Sequence, residues 1–215
     1  MLKGKKIIIG TTGGIAAYKI PLLVRDLKKT GADVKVVMTD AAKEFVSPLT
    51  LATLSEHDVI VGTFPSETGG IQKGSTWHIS LAQLADLMLI APATANTIAK
   101  LTHGYADNAV STLALSLRCP LMIAPAMDAD MWLHTATQEN VSKLREFGYI
   151  IIPPETGELA SGLVGPGRLP EIATILRTIE WVLRKNYRDL GGKKILVTAG
   201  PTHEAIDPVR YIGNH

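Results

Sequence analysis

The feature that most limits how this chain can fold is an apolar run that occurs twice and ends the same way. Leu89-Ile90-Ala91-Pro92-Ala93-Thr94-Ala95-Asn96 closes one run, and Met122-Ile123-Ala124-Pro125-Ala126-Met127-Asp128 closes another. Each reads as a strand that reaches Ala-Pro-Ala and then turns polar. Proline has no N–H to give a strand ladder, so each proline is expected to mark a strand end. In an open α/β sheet, ligands collect at the carboxyl ends of the strands. Two matched ends lined by small residues point to a flat ligand lying close to backbone.

The rest of the chain alternates in the same style. Residues 6–10 form a short apolar segment, followed by a glycine-rich turn and a helix with Ala16, Ile20, Leu23 and Leu27 on one face. Pro21 is expected to kink that helix, and Gly31 to cap it. Strands are expected at 34–38, 59–61, 87–91, 121–124 and 149–152. Helices are expected at 41–54 (interrupted by Pro48), from Trp77, at 97–101, at 108–117, near 131–147 and at 171–185. The stretch 153–170, with Gly157, Gly162, Gly165 and Gly167, reads as one long loop, of a length that usually means a lid, a binding loop or disorder. Alternating strands and helices predict an α/β fold, a doubly wound, mainly parallel sheet with helices on both faces.

With 215 residues and 46% hydrophobic content, one domain with an appendage is expected. Residues 1–188 read as that domain and 189–215 as a linker and the start of a second unit. There, a strand at 194–198 runs into Ala199-Gly200-Pro201-Thr202 and the chain stops. A net charge of +2 without a basic run argues against a nucleic-acid surface. No run of about 18 uncharged apolar residues exists, so no membrane span is expected. Lys3, Lys5 and Lys6 precede an apolar stretch as in a signal peptide, but Gly10, Gly13 and Gly14 break it, and strand, turn and helix is the better reading. The single Cys119 excludes an intrachain disulfide, fits a reducing cytoplasm and reads as core rather than nucleophile.

Three places could carry chemistry. Gly10-Thr11-Thr12-Gly13-Gly14-Ile15-Ala16 can present backbone N–H groups to a phosphate. It lacks the GxGxxG spacing, and Thr39-Asp40 rather than a lone acid follows the second strand, which favours a mononucleotide over a dinucleotide. His78, near a helix start, can serve as base or charge partner, and the helix N-terminus favours its neutral form. The two Ala-Pro-Ala ends add Thr94, Asn96 and Thr97 on one side and Asp128 and Asp130 on the other. The carboxylates have no companion His or Cys nearby, so no metal is expected.

In this order, the glycine turn, His78, Ala91-Pro92-Ala93-Thr94-Ala95-Asn96-Thr97, Pro125-Ala126-Met127-Asp128-Ala129-Asp130-Met131-Trp132 and the late glycine loop resemble the flavin-dependent cysteine decarboxylases over residues 5 to 185. Residues 193–215, with Val197-Thr198-Ala199-Gly200-Pro201-Thr202 and Ile212-Gly213-Asn214-His215, resemble the start of phosphopantothenate–cysteine ligases. The pairing implies the branch that acts in coenzyme A synthesis, and a fragment of a bifunctional protein whose ligase part is incomplete here.

The resemblance implies a Rossmann-like flavoprotein that binds FMN and decarboxylates 4'-phosphopantothenoyl-L-cysteine to 4'-phosphopantetheine and CO2. It implies cofactor contacts at Gly13, Gly14, Ile15, Thr39, Thr94, Ala95, Asn96, Thr97 and Ala126. It implies His78 as the catalytic histidine, and Met127, Asp128, Ala160, Gly162 and Arg168 at the substrate. Relatives assemble as homo-trimers, often into dodecamers, with the site near subunit contacts. The rival readings are a peptidyl-cysteine decarboxylase that stops at the enethiol, a flavin prenyltransferase, and a non-catalytic flavin-binding regulatory subunit.

Two positions depart from the family pattern. Asp128 stands where an asparagine usually holds the substrate carboxylate. Like charges about 4 Å apart cost roughly 4 kcal/mol at an effective dielectric near 20. Either Asp128 is protonated, or a cation such as Arg168 offsets it, or the carboxylate sits elsewhere. Ser161 stands where a cysteine usually protonates the enethiol, and a hydroxyl is a much weaker acid than a thiol of pKa about 8.5.

Overall fold

The computed structural model describes residues 2–62, 76–184, 194, 196 and 203–213. The chain divides into two compact units, Met1–Arg184 and Lys185–His215. In the first, β1 (Lys6–Thr11), β2 (Asp33–Met38), β3 (Ile60–Val61), β4 (Leu87–Ala93), β5 (Leu121–Pro125) and β6 (Ile150–Ile151) form one sheet. Its order is β3-β2-β1-β4-β5-β6 and every neighbouring pair is parallel.

The strands carry almost no polar side chains because both faces are covered. Ile7, Ile9, Val34, Val36, Leu87, Leu89 and Met122 point into one core, which α1 (Ile20–Lys29), α2 (Pro48–Ser55) and α8 (Ile172–Arg184) close. Ile8, Val37, Met88, Ile90, Leu121 and Ile123, the alternate residues, enter the other core. That face is closed by α3 (Trp77–Leu84), α4 (Ala95–His103), α5 (Ala109–Ser116) and α7 (Thr135–Glu146), with α6 (Ala129–Leu133) contributing Trp132. The two-residue period of a strand sends successive side chains to opposite layers, so an unbroken apolar run serves both.

Connections run to opposite sides on either side of the β1/β4 junction. At such a switch in strand order the carboxyl ends of the strands leave a crevice. The two Ala-Pro-Ala ends meet there. Ala93 pairs with Pro125, and the Ala126 amide donates to the Ala93 carbonyl at 3.1 Å.

Local details differ from the sequence expectation. Pro21 lies in the first turn of α1 and Pro48 begins α2, so neither interrupts a helix. A first-turn residue needs no N–H donor, which is why proline is tolerated there. β4 continues through Pro92 to Ala93, with its pairing to β5 shifting register between Ile90 and Ala93. The helix expected near 131–147 is two, α6 and α7, separated at His134. The stretch 153–170 is not structureless, for β7 (Glu155–Glu158) and β8 (Val164–Arg168) pair as an antiparallel hairpin.

The second unit contains β9 (His203–Ala205) and β10 (Tyr211–Gly213), paired antiparallel. Their connecting turn is held by Asp207 Oδ1, which accepts the Val209 and Arg210 amides at 2.9 and 2.8 Å. The loop 63–75, the linker 187–192 and the motif 197–202 lie outside the described residues, as does most of the expected strand 194–198. Among the described residues, no helix is long and apolar enough to cross a membrane.

Candidate functional site

A cavity of about 710 Å³ opens at the switch point, between the loop after β1, the ends of β4 and β5, and the β7–β8 hairpin. Gly13, Gly14, Ile15, Ala16, Tyr18 and Lys19 line it from the first loop. Thr94 and Ala95 come from the end of β4, and Ala126, Met127 and Asp128 from the end of β5. The hairpin adds Glu158, Ala160, Ser161 and Arg168.

Hydrogen bonds across the strand ends fix the first loop. Thr12, 1% exposed, donates its hydroxyl to the Pro92 carbonyl at 2.6 Å and accepts the Thr94 amide at 3.2 Å. Gly13 passes so close to the loop after β2 that an added Cβ would lie 2.5 Å from Ala41 Cβ and 2.9 Å from its carbonyl carbon. Only glycine fits there. A Cβ on Gly14 would meet only Thr94 Cγ2, at 3.6 Å, so the space beside Gly14 belongs to the cavity.

Thr39, directly after β2, has a buried hydroxyl oxygen with no hydrogen-bond partner among the described residues. A buried polar atom without a partner is costly, and Thr39 does not line the cavity. Thr94 is the N-cap of α4. Its hydroxyl oxygen accepts the Thr97 amide at 3.3 Å and lies 3.1 Å from the Thr97 hydroxyl. Thr97 therefore builds the cap, and Asn96 is exposed. Neither lines the cavity.

The hairpin is clamped onto the end of β5. The Met127 amide donates to the Gly167 carbonyl at 2.9 Å. Gly167 has φ +134, and a Cβ on it would fall 2.2 Å from the Met127 carbonyl oxygen. The Ser161 hydroxyl donates to Asp128 Oδ2 at 2.5 Å, while Oδ1 of Asp128 caps α6 by accepting the Asp130 amide at 3.3 Å. The Ser161 hydrogen bond holds the Asp128 carboxyl below its usual range.

The charges around Asp128 also differ from expectation. Arg168 lines the cavity but pairs with Glu171. Lys19 lines it too, and has no ion-pair partner among the described residues. The sequence reading passed over Lys19, although it lies four residues past Ile15 on the same turn. Glu158 was also missed. Gly162, with φ +83, forms the hairpin turn and does not line the cavity.

His78 stands in the first turn of α3 and is half-buried, its ring edge-on to Trp77 with centroids 5.7 Å apart. It does not line the cavity of its own chain. No cluster of three or more His, Cys, Asp or Glu side chains suited to a metal occurs among the described residues. Cys119 is half-buried beside the start of β5, and burial pushes its thiol pKa up.

Residues 1–184 match the family described as Flavoprotein, and residues 190–215 match the DNA/pantothenate metabolism flavoprotein C-terminal domain. The coenzyme A biosynthesis bifunctional protein CoaBC of Vibrio vulnificus is 47% identical over 214 residues, covering 100% of this chain and 52% of that protein. CoaBC of Bacillus subtilis is 44% identical over 215 residues, with the same coverage of 100% and 52%. The chain thus spans about half the length of the curated relatives it matches. Among solved structures, a PPC decarboxylase mutant complexed with pantothenoylaminoethenethiol is 28% identical with TM-score 0.73, covering 83% of this chain and 98% of that one. The FMN-dependent cysteine decarboxylase SpaF is 31% identical with TM-score 0.73, covering 85% of this chain and 97% of that one.

Proposed function

Because the chain belongs to the flavoprotein family, we propose that residues 1–184 bind FMN and decarboxylate 4'-phosphopantothenoyl-L-cysteine to 4'-phosphopantetheine and CO2, a step of coenzyme A synthesis in the cytoplasm. The observation that carries this reading is the cavity itself. Three strand ends supply a small-residue wall, and a clamped hairpin supplies the polar one.

The residues present fit the cofactor. Gly13, Gly14, Ile15 and the unpartnered Thr39 hydroxyl suit its phosphate and polar edge, and Thr94, Ala95 and Ala126 leave room for a flat ring system. Thr97 and Asn96 act through α4, Thr97 by fixing the Thr94 hydroxyl. When bound, FMN supplies the reversible two-electron chemistry that turns the substrate carboxylate into a good leaving group.

The chain's own groups bind, orient and shield. Lys19, which lines the same cavity as Asp128, offers a positive charge to an anionic group of the substrate. Ala160, Ser161 and Met127 line the substrate side. Gly162 lets the hairpin turn.

His78 requires a second copy of the chain. It is proposed to act on substrate held by a neighbouring subunit of a homo-trimer, further assembled into a dodecamer. In support, His78 is absent from its own cavity, and Ile15 and Tyr18 on the cavity lining, with Leu22 four residues further along the chain, are 57, 59 and 56% exposed. Such a cluster of exposed apolar side chains is typical of an interaction surface. The match at 190–215 and the twofold length of the relatives support a fused ligase domain in the full-length protein.

The anaerobic visible spectrum of the purified protein, recorded with substrate, tests the reading. A yellow protein whose flavin band bleaches and recovers as CO2 is released is expected. A colourless protein, or one inert toward phosphopantothenoylcysteine, sinks it. Bleaching without recovery, with enethiol accumulating, supports the peptidyl-cysteine branch.

A further inference from the structure

We propose that Gln138, a residue of α7 outside the cavity, is a positioning residue that sets part of the substrate wall by fixing α6. The identity of the substrate rests on the decarboxylase reading above, and the geometry on the structure itself. α6 is five residues long, yet it and its N-cap carry Met131 and Asp128, both of which line the cavity. A helix this short closes few hydrogen bonds of its own, so its place is set by what grips it from outside.

Three contacts do so. At its start, the Asp128 carboxylate accepts the Asp130 amide at 3.3 Å and the Ser161 hydroxyl at 2.5 Å. Along its flank, β8 comes so near that a Cβ on Gly165 would lie 2.8 Å from Ala129 Cβ. At its end, the half-buried Gln138 side-chain amide donates to the Trp132 carbonyl at 2.5 Å. As one of the last carbonyls of the helix, that oxygen has no partner within α6.

Gln138 therefore ties two helices at one corner. Its backbone amide donates to the His134 carbonyl at 3.1 Å in the first turn of α7, while its side chain holds the last turn of α6. The Trp132 amide in turn donates to the Asp128 carbonyl at 2.9 Å, so a line of hydrogen bonds runs from Gln138 through Trp132 to the cavity. α7 has its own anchors. Val141 and Leu144 are buried in the sheet-side core, and the Thr102 hydroxyl of α4 lies 3.3 Å from the Asn140 carbonyl. Loss of the Gln138 donor leaves α7 in place and lets the far end of α6 tilt. Asp128 and Met131 move with it, and the Ser161–Asp128 bond loosens. The ends of β4 and β5 are tied to each other and to Thr12, and stay.

The test compares Gln138→Met, which keeps the side-chain length without the donor, with Gln138→Lys, which returns a donor to the carbonyl. In the holoenzyme, CO2 release from phosphopantothenoylcysteine shows KM raised at least about tenfold in Gln138→Met with kcat within about threefold of wild type, the pattern of lost substrate binding. FMN affinity stays within about threefold of wild type. Gln138→Lys recovers most of the lost KM. Thr102→Val is the structural control, since it removes a buried hydroxyl from the α4–α7 contact without touching α6. Its KM stays within about twofold of wild type. A second readout needs no turnover. In cofactor-free protein, the Asp128 carboxyl followed by carbon NMR titrates higher in Gln138→Met than in wild type, because the Ser161 hydrogen bond that holds it down is weakened.

A wild-type KM in Gln138→Met overturns the proposal, as does a wild-type Asp128 titration in that variant. An equal rise of KM in Thr102→Val also overturns it, by making the effect a general loosening of the helical layer. Wild-type protein that releases no CO2 overturns the decarboxylase reading, and the Asp128 titration then decides the positioning on its own.

Discussion

The Thr12 hydroxyl donates to the Pro92 carbonyl at 2.6 Å, a bond that spans the junction where the strand order reverses. The same oxygen accepts the Thr94 amide, so one buried side chain secures the loop after β1 to the end of β4. Thr12→Val keeps the shape but strands a carbonyl and an amide. Unpaired buried groups cost about 1–3 kcal/mol, so the urea midpoint is expected to fall by a corresponding amount. An unchanged midpoint would show that water replaces the hydroxyl.

Gly13 and Gly14 are expected to separate fold from ligand binding. Gly13→Ala forces Ala41 away and lowers the thermal midpoint. Gly14→Ala meets only an ordinary contact and leaves the midpoint of the cofactor-free protein within about 1 kcal/mol of wild type. Its methyl occupies cavity space, so FMN affinity, read by flavin fluorescence quenching, drops at least about tenfold. Equal FMN affinity in Gly14→Ala and wild type refutes the assignment of that space to the cofactor.

Thr39→Val removes a buried hydroxyl oxygen that has no partner among the described residues. Without cofactor, the variant is expected to be as stable as wild type or slightly more so, since no hydrogen bond is lost. With FMN the order reverses, and the stabilisation conferred by the ligand shrinks. Differential scanning with and without FMN reads both. The same ligand-induced rise in the two proteins removes Thr39 from the cofactor site.

Gly167→Ala places a methyl against the Met127 carbonyl at a φ that L side chains rarely adopt. The hairpin is expected to lose its docked position at a cost above about 1 kcal/mol. Substrate KM should rise while FMN binding stays near wild type. Loss of both together would mean that the hairpin also supports the cofactor wall.

Cys119 is expected to react slowly. Burial raises its thiol pKa, so less thiolate is present near neutral pH than for a free cysteine. The iodoacetamide rate should lie below that of glutathione and climb with pH beyond the point where glutathione levels off. A faster rate would assign Cys119 a reactive environment that burial does not provide.

The sheet was legible because strands buried on both faces leave continuous apolar runs, and those of β1, β2, β4 and β5 sit where the pattern puts them. Prolines misled because their effect depends on which helical turn they occupy. Pro21 and Pro48 are harmless in a first turn, and the sequence does not label that turn. The β7–β8 hairpin was hidden for another reason. Val164-Gly165-Pro166-Gly167-Arg168 shows no strand alternation, and its place is held by tertiary contacts to Met127. At the site, residues of the two repeated strand ends could be named from their motif. Lys19 and the Ser161–Asp128 bond could not, since one needs a turn geometry and the other joins residues remote in sequence.

The hairpin enters between β6 and α8 and is held at the end of β5 and the start of α6. The strand-end wall of the cavity and its hairpin wall therefore come from separable stretches of chain. Selectivity can drift, or be engineered, by exchanging the tip between Glu158 and Val164 while the strand ends and their ligand stay intact. One scaffold can in this way present cavities of different chemistry, the difference being written in a handful of exposed residues.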